Sequence, residues 1–226
     1  SFVDTLKKTD IPKRVAFSPD LSIVSIEKEI AEICGAATRV FADIGAEVTD
    51  EIPDFTGVLE AFQTLRAVLF ATMMEPILEQ HRDKIAPEII GNIERGLNIM
   101  PSQIFEAERV RIELFKKILA FFETHDFLIC PAASIAPFSV DQRYVTEIDG
   151  KPCETYIDWF SITFALTMTS CPTISVPCGF TSEGLPVGIQ IMGKPRGEAA
   201  LLLVAKQFEQ AIGIAAQLPI APRKGI

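Results

Sequence analysis

The sequence predicts an α/β fold, a mixed β-sheet flanked by helices. Short apolar runs of strand length alternate with longer stretches of helical periodicity. Seven of the 15 prolines fall between 131 and 195, less than a third of the chain, so that region is built of loops and short strands. With 226 residues, 48% hydrophobic and 23% charged, the chain has a globular composition. A chain of this size buries roughly 70% of the surface it exposes when unfolded, without metal or disulfide staples. One α/β unit is expected over 1–226.

Val15-Ala-Phe17 is a short strand ended by Ser18-Pro19-Asp20. Ile26, Ile30, Ile33, Ala37, Val40, Phe41 and Ile44 recur at helical spacing, with Ser25 as the expected cap and Gly45 as the stop. Ala46-Glu-Val48 begins a second extended piece. From 57 to 122 the pattern is helical, with Phe62, Leu65, Leu69, Met73 and Ile77 on one face and Pro76 expected to kink or end the helix. Pro87, Gly91, Gly96 and Pro101 predict a stretch broken into short helices and turns. Ser102 is placed to cap a helix whose apolar side carries Phe115, Ile118, Leu119 and Phe122. Phe127–Pro131 reads as a fully buried strand. Residues 137–153 read as an irregular surface loop with an Asp149-Gly150 turn. Tyr156–Thr169 reads as a helix, 173–177 and 185–192 as strands, and 197–210 as a closing helix.

The charge balance excludes several functions. Lys plus Arg total 21 against 30 Asp plus Glu, a net charge of −9 with no basic run, which repels nucleic acid. Phe outnumbers Tyr and Trp by 16 to 2 and 1, which suits buried packing better than base stacking. No apolar run approaches the roughly 18 residues of a membrane span. Asp4, Lys7, Lys8 and Asp10 near the start do not suit a signal peptide, so a cytoplasmic protein is expected. Five cysteines at 34, 130, 153, 171 and 178, none in C-x-x-C spacing, point to a reduced chain.

Candidate chemistry is sparse. His81 and His125 lack ligand spacing, so neither a metal nor any other cofactor is expected. Cys130, Cys171 and Cys178 sit in apolar segments that want a small buried hydrophobe rather than a nucleophile. Gly179–Gly184 lacks the Lys-Ser/Thr of a phosphate loop. Gly193-Lys-Pro-Arg-Gly197 precedes a helix, where its two cations could hold an anion or simply form a solvated turn. No catalytic constellation is complete within the chain.

The run Cys171-Pro-Thr-Ile-Ser-Val-Pro-Cys-Gly, a short turn, then Gly184-Leu-Pro-Val-Gly-Ile-Gln-Ile-Met-Gly193 resembles the C-terminal part of the amidase signature family. Arg14–Phe17, Asp43–Val48, Phe127–Pro131, Tyr156 with Trp159, and the Gly197-Glu-Ala-Ala-Leu-Leu run lie at family-like distances. The resemblance extends over nearly all of the chain and implies the C-terminal half of an amidase fold. Family members carry a Ser–cis-Ser–Lys triad on a Gly/Ser-rich segment in the N-terminal half. This chain has no Gly-Gly pair and nothing similar to that segment, so no catalytic residue is assigned to it. Where the family has Asn and Gly approaching the strand, this chain has Thr167 and Ser170.

The resemblance implies hydrolysis of a small-molecule amide through a serine acyl-enzyme, with the N-terminal half of the same amidase as partner and a homodimer as a further possibility. It marks Tyr156, Trp159, Phe160, Thr163 and Thr167 as substrate-lining candidates; a helix packing these side chains into the core is the competing reading. One alternative is the glutamine-hydrolysing A subunit of a tRNA-dependent amidotransferase, against which the apolar Trp159-Phe160 pair argues. A non-catalytic fragment or scaffold is the other.

Overall fold

The computed structural model describes residues 1–214; the remainder of the expected 1–226 unit lies outside the described residues. Five strands form a mixed sheet: β1 (Arg14–Phe17), β2 (Glu47–Thr49), β3 (Phe127–Pro131), β6 (Thr173–Phe180) and β7 (Pro186–Gly193), in the order β2-β1-β3-β7-β6. β2, β1 and β3 run parallel, whereas β7 is antiparallel to both β3 and β6. Two short strands, β4 (Glu147–Ile148) and β5 (Lys151–Pro152), form a separate hairpin.

Alternation along the strands sorts side chains between two cores. Val15, Phe127, Ile129, Ile189 and Ile191 face α2 (Lys28–Asp43) and α7 (Glu198–Ile212), where Phe41 and Phe208 stack at 5.4 Å. Ala16, Leu128, Cys130 and Met192 face the opposite core, built by α3 (Val58–His81), α5 (Pro101–Thr124) and α6 (Ser161–Thr167). Covered on both sides, β3 is buried at all five positions, as its unbroken apolar run predicts. The edge strand β6 differs: Val176 and Cys178 enter the first core, but Thr173, Ser175 and Pro177 on its other face are exposed.

Several local expectations are corrected. Ser25 does not cap α2. Glu27 occupies the N-cap and its carboxylate accepts the Ala136 N–H at 2.8 Å, tying the helix start to the loop after β3. Leu69, Met73 and Ile77 are not a buried face; they are 54%, 63% and 42% exposed, while the small residues Ala61, Thr64, Ala67 and Ala71 face the protein. Small side chains permit close helix packing, and α4 (Pro87–Leu97) exploits this against α3. Pro76 does not end α3; Pro76 and Thr72 are exposed, so the carbonyl that loses its partner faces solvent. Residues 87–97 are one helix rather than fragments, because Pro87 lies at its first turn where no N–H is missed. Met100, not Ser102, precedes α5: Pro101 opens the helix and the Gln103 side chain accepts the Met100 N–H at 2.9 Å. Within the expected irregular loop, Asp149 and Gly150 take φ of 47° and 77°, the two-residue turn that closes the β4–β5 hairpin. The Tyr156–Thr169 helix is shorter than expected: a 3₁₀ turn (Asp158–Phe160) leads into α6, and α1 (Phe2–Thr5) is an unanticipated single turn. No described helix is long and apolar enough to cross a membrane.

Candidate functional site

The segment leading into α6 is organised by Asp158. Its carboxylate accepts the backbone N–H groups of Glu154 at 2.7 Å and Thr155 at 2.8 Å, and the Thr155 hydroxyl as well. This turn fixes the aromatic residues that follow. Trp159 Nε1 donates to the Tyr156 carbonyl at 3.2 Å, while the Trp159 carbonyl accepts the Ser134 N–H at 3.3 Å. The segment is thereby pinned to the loop after β3, at the carboxyl end of the parallel strands, where ligands settle in open α/β sheets.

Aromatic rings continue from this point as a belt. Phe138 meets Trp159 edge-on at 5.4 Å, Trp159 meets Phe160 at 4.9 Å, and Phe160 meets Phe164 at 5.9 Å. Phe164 then stacks on Phe62 of α3 at 4.0 Å. Tyr156 lies beside Tyr144 at 6.3 Å and accepts a hydrogen bond from Arg66. Trp159 and Phe160 therefore sit together in one belt, with Tyr156 attached through its backbone. Thr163 is one turn on, and its hydroxyl donates to the Ala132 carbonyl at 2.8 Å. Thr167 is exposed at the end of α6, with its hydroxyl returned to the Phe164 carbonyl at 2.7 Å.

Two cavities flank the belt. One, of about 360 Å³, is apolar and is lined by Trp159, Phe138, Ile135, Pro186 and Val187 among others. The second, of about 340 Å³, lies between the α6 segment, α3, α4 and the β4–β5 hairpin. Asp158, Ser161 and Phe164 line it, opposite Glu60, Gln63 and Arg95. Arg95 pairs with Glu60 at 2.8 Å, and Gln63 Nε2 donates to the Thr155 hydroxyl at 3.3 Å. Charged groups thus do reach this region, which the Trp159-Phe160 pair had argued against. Of the five expected residues only Trp159 lines either cavity. Sequence reasoning missed Gln63 and Arg95; the available signal was Gln63, an uncharged polar residue at a buried position of an apolar helix.

The thiols nearby are poor nucleophiles. Burial and the Asp158 carboxylate raise Cys153, on the rim of the polar cavity, above the ordinary thiol range. Burial pushes Cys130 up to about 12. His125 is buried, stacked on Phe121 and bonded to Thr49 and Thr124, which is a packing role. Among the described residues no lysine Nζ hydrogen-bonds a serine hydroxyl, and no His, Cys, Asp and Glu side chains gather as a metal site. Aromatic faces and charged side chains thus border one region, and among the described residues it holds no activated nucleophile.

A family model described as Amidase matches residues 1–202. The chain belongs to the amidase family. Among curated amidase relatives, it is 27% identical over 212 residues to an acylamidase of Rhodococcus erythropolis, covering 92% of this chain and 44% of the relative. It is 30% identical over 182 residues to the A subunit of glutamyl-tRNA(Gln) amidotransferase from Synechococcus sp. (strain CC9902), covering 78% of this chain and 35% of the relative. A bacterial aryl acylamidase of the amidase signature family superposes with a TM-score of 0.82 at 23% identity, over 97% of this chain and 49% of that one. A 6-aminohexanoate cyclic dimer hydrolase superposes with a TM-score of 0.81 at 20% identity, over the same shares. The chain thus has the amidase fold and spans less than half the length of each of these relatives.

Proposed function

We propose that this chain forms the substrate-binding part of an enzyme that hydrolyses a carboxamide C–N bond through a serine acyl-enzyme. Its partner is a polypeptide equivalent to the N-terminal half of family members, which carries the serine nucleophile and its base. In that reaction the serine oxygen attacks the amide carbon, the C–N bond breaks, and the amine leaves with a proton from the base. Water then releases the acid and returns the serine. This chain's part is to hold the substrate: the Trp159-Phe160-Phe164 belt packs the apolar portion, Tyr156, Thr163 and Thr167 border it, and the flanking cavities take the rest. A soluble cytoplasmic setting suits this chemistry.

The observation that carries the reading is the family match across residues 1–202 in a chain that contains the belt and, among the described residues, no serine bonded to a lysine. Among the described residues the outer edge of β6 is unpaired, and this supports a partner: Thr173–Phe180 is eight residues long and uncharged, and such an edge normally is paired or covered. A second reading, hydrolysis of glutamine as in the amidotransferase relatives, is favoured by Arg95 and Glu60 in the polar cavity, since a free amino acid needs partners for both of its charges.

Native mass spectrometry of the purified protein is the first test, and a companion chain of comparable size is expected. Hydrolysis is then assayed on an aryl amide and on glutamine, with and without that companion. Turnover of the aryl amide by the pair alone supports the first reading, and ammonia release from glutamine supports the second. Failure of the pair on both overturns the hydrolase.

A further inference from the structure

We infer that Arg66, Phe70 and Tyr156 form a subsite for a carboxylate carried by the amide substrate. The word substrate rests on the hydrolase reading above; the preference for an anion rests on the geometry alone. Helix α3 places the Arg66 guanidinium carbon 4.6 Å from the centroid of Phe70 and 5.4 Å from that of Tyr156, and one N–H group donates to the Tyr156 hydroxyl. Both rings lie within cation–π distance of the guanidinium, and the phenol takes only one of its five donors.

Among the described residues it has no ion pair. Among the described residues Arg66 is the one half-buried arginine without a carboxylate partner. Arg14, the other half-buried arginine, is held by Glu47 and Glu51, and the remaining unpaired ones, Arg39 and Arg196, are exposed. The chain carries a net charge of −9, yet no described carboxylate is paired with this arginine. A planar guanidinium with donors to spare beside two aromatic rings fits a carboxylate through two parallel hydrogen bonds. The site adjoins the belt, because Trp159 Nε1 is bonded to the Tyr156 carbonyl. The ligand class is therefore an amide with an apolar or aryl body and a carboxylate on one of its two parts.

Trp159 is the only tryptophan in the chain, so its emission reports binding at this place. The 226-residue chain is titrated with 4-acetamidobenzoate and, separately, with its neutral methyl ester at low salt. The acid is expected to bind at least about tenfold more tightly, the range of a charge-assisted hydrogen bond. Arg66→Met, which keeps the apolar stem, should bring the acid to the level of the ester, and Arg66→Lys should restore part of the gap. Circular dichroism checks the fold of each variant. If Arg66→Met does not fold, closure of the wild-type gap in ~0.5 M salt replaces it. Equal binding of acid and ester, binding of neither, or an undiminished gap in Arg66→Met overturns the subsite. A preference for the acid in a protein whose assembled form cleaves no amide would instead sink the hydrolase reading and leave the subsite standing. Cleavage of neutral and acidic anilides at equal efficiency would do the reverse.

Discussion

The Asp149 carboxylate accepts the Lys28 backbone N–H at 3.0 Å, joining positions 121 residues apart in the chain. The first turn of α2 is thereby capped from the tip of the β4–β5 hairpin rather than from its own leading residue, since Glu27 is committed to Ala136. The same contact fixes the hairpin that forms one wall of the polar cavity.

Removing that cap should cost about 1 kcal/mol, the usual worth of an N-cap acceptor. In a domain of this size that lowers the melting temperature by about 2–4 °C. Asp149 also has φ of 47°, so Asp149→Ala adds backbone strain that Asp149→Gly does not. Thermal unfolding should rank the variants as wild type, then Asp149→Asn close behind, then Asp149→Gly, then Asp149→Ala. If Asp149→Ala melts with the wild type, the cap contributes nothing.

The two glycines of α4 should respond in opposite directions. A Cβ at Gly96 would lie 2.1 Å from the Ala67 carbonyl oxygen, and α3 and α4 would have to part. Gly96→Ala is expected to destabilise by about 2 kcal/mol despite alanine's better helix propensity. A Cβ at Gly91 meets nothing within 4 Å, so Gly91→Ala should stabilise by up to ~1 kcal/mol. Urea unfolding of the two variants measures both, and equal effects would mean that the helices do not cross closely.

That pair also marks where the sequence was legible. A strand such as Phe127–Pro131 is apolar because both sheet faces are covered, and a dense local pattern of this kind reads directly. Gly96 read as punctuation because its role is set by Ala67, 29 positions away in sequence, and no local rule carries that distance. Helix α3 departs from its expected face for a related reason: the small residues Ala61, Thr64, Ala67 and Ala71 are buried, while Leu69, Met73 and Ile77 point outward. At the site, Trp159 and Phe160 stood out by type and location, and their mutual packing follows. Gln63 and Arg95 come from separate helices, and only the folded arrangement brings them to one cavity.

Thr163 and Thr167 should separate positioning from substrate contact. The Thr163 hydroxyl ties α6 to the Ala132 carbonyl in the loop after β3, so Thr163→Val should lose about 1 kcal/mol of stability and shift the emission of Trp159, which is anchored to the same loop. Thr167 is exposed and bonded only within its own helix, so Thr167→Val should stay within ~0.5 kcal/mol of the wild type. A fall in kcat/KM of the assembled enzyme with Thr167→Val, at unchanged melting temperature, would then report contact with substrate.

The thiols give the pH dependence. Cys130 has a folded pKa of about 12 against an ordinary value of 9.0, because burial disfavours its thiolate. Its folded form therefore holds a proton that the unfolded chain gives up, and the resulting stability is complete below pH 9. It is lost as pH rises from there toward 12. At pH 10 the loss is about 1 kcal/mol from Cys130 alone. Cys34 adds in the same direction: it is buried and lies 3.9 Å from the Cys178 sulfur, where a second thiolate is disfavoured. Denaturant unfolding at pH 8 and pH 10 should show this decline, and Cys130→Ala should show less of it. Labelling with a thiol reagent at pH 8 gives an independent check. The half-buried Cys153 and Cys171 should react in the native protein, while Cys34, Cys130 and Cys178 should react only as fast as the protein opens. Rapid native labelling of all five would mean that the sheet and its first helix layer open far more readily than their packing implies.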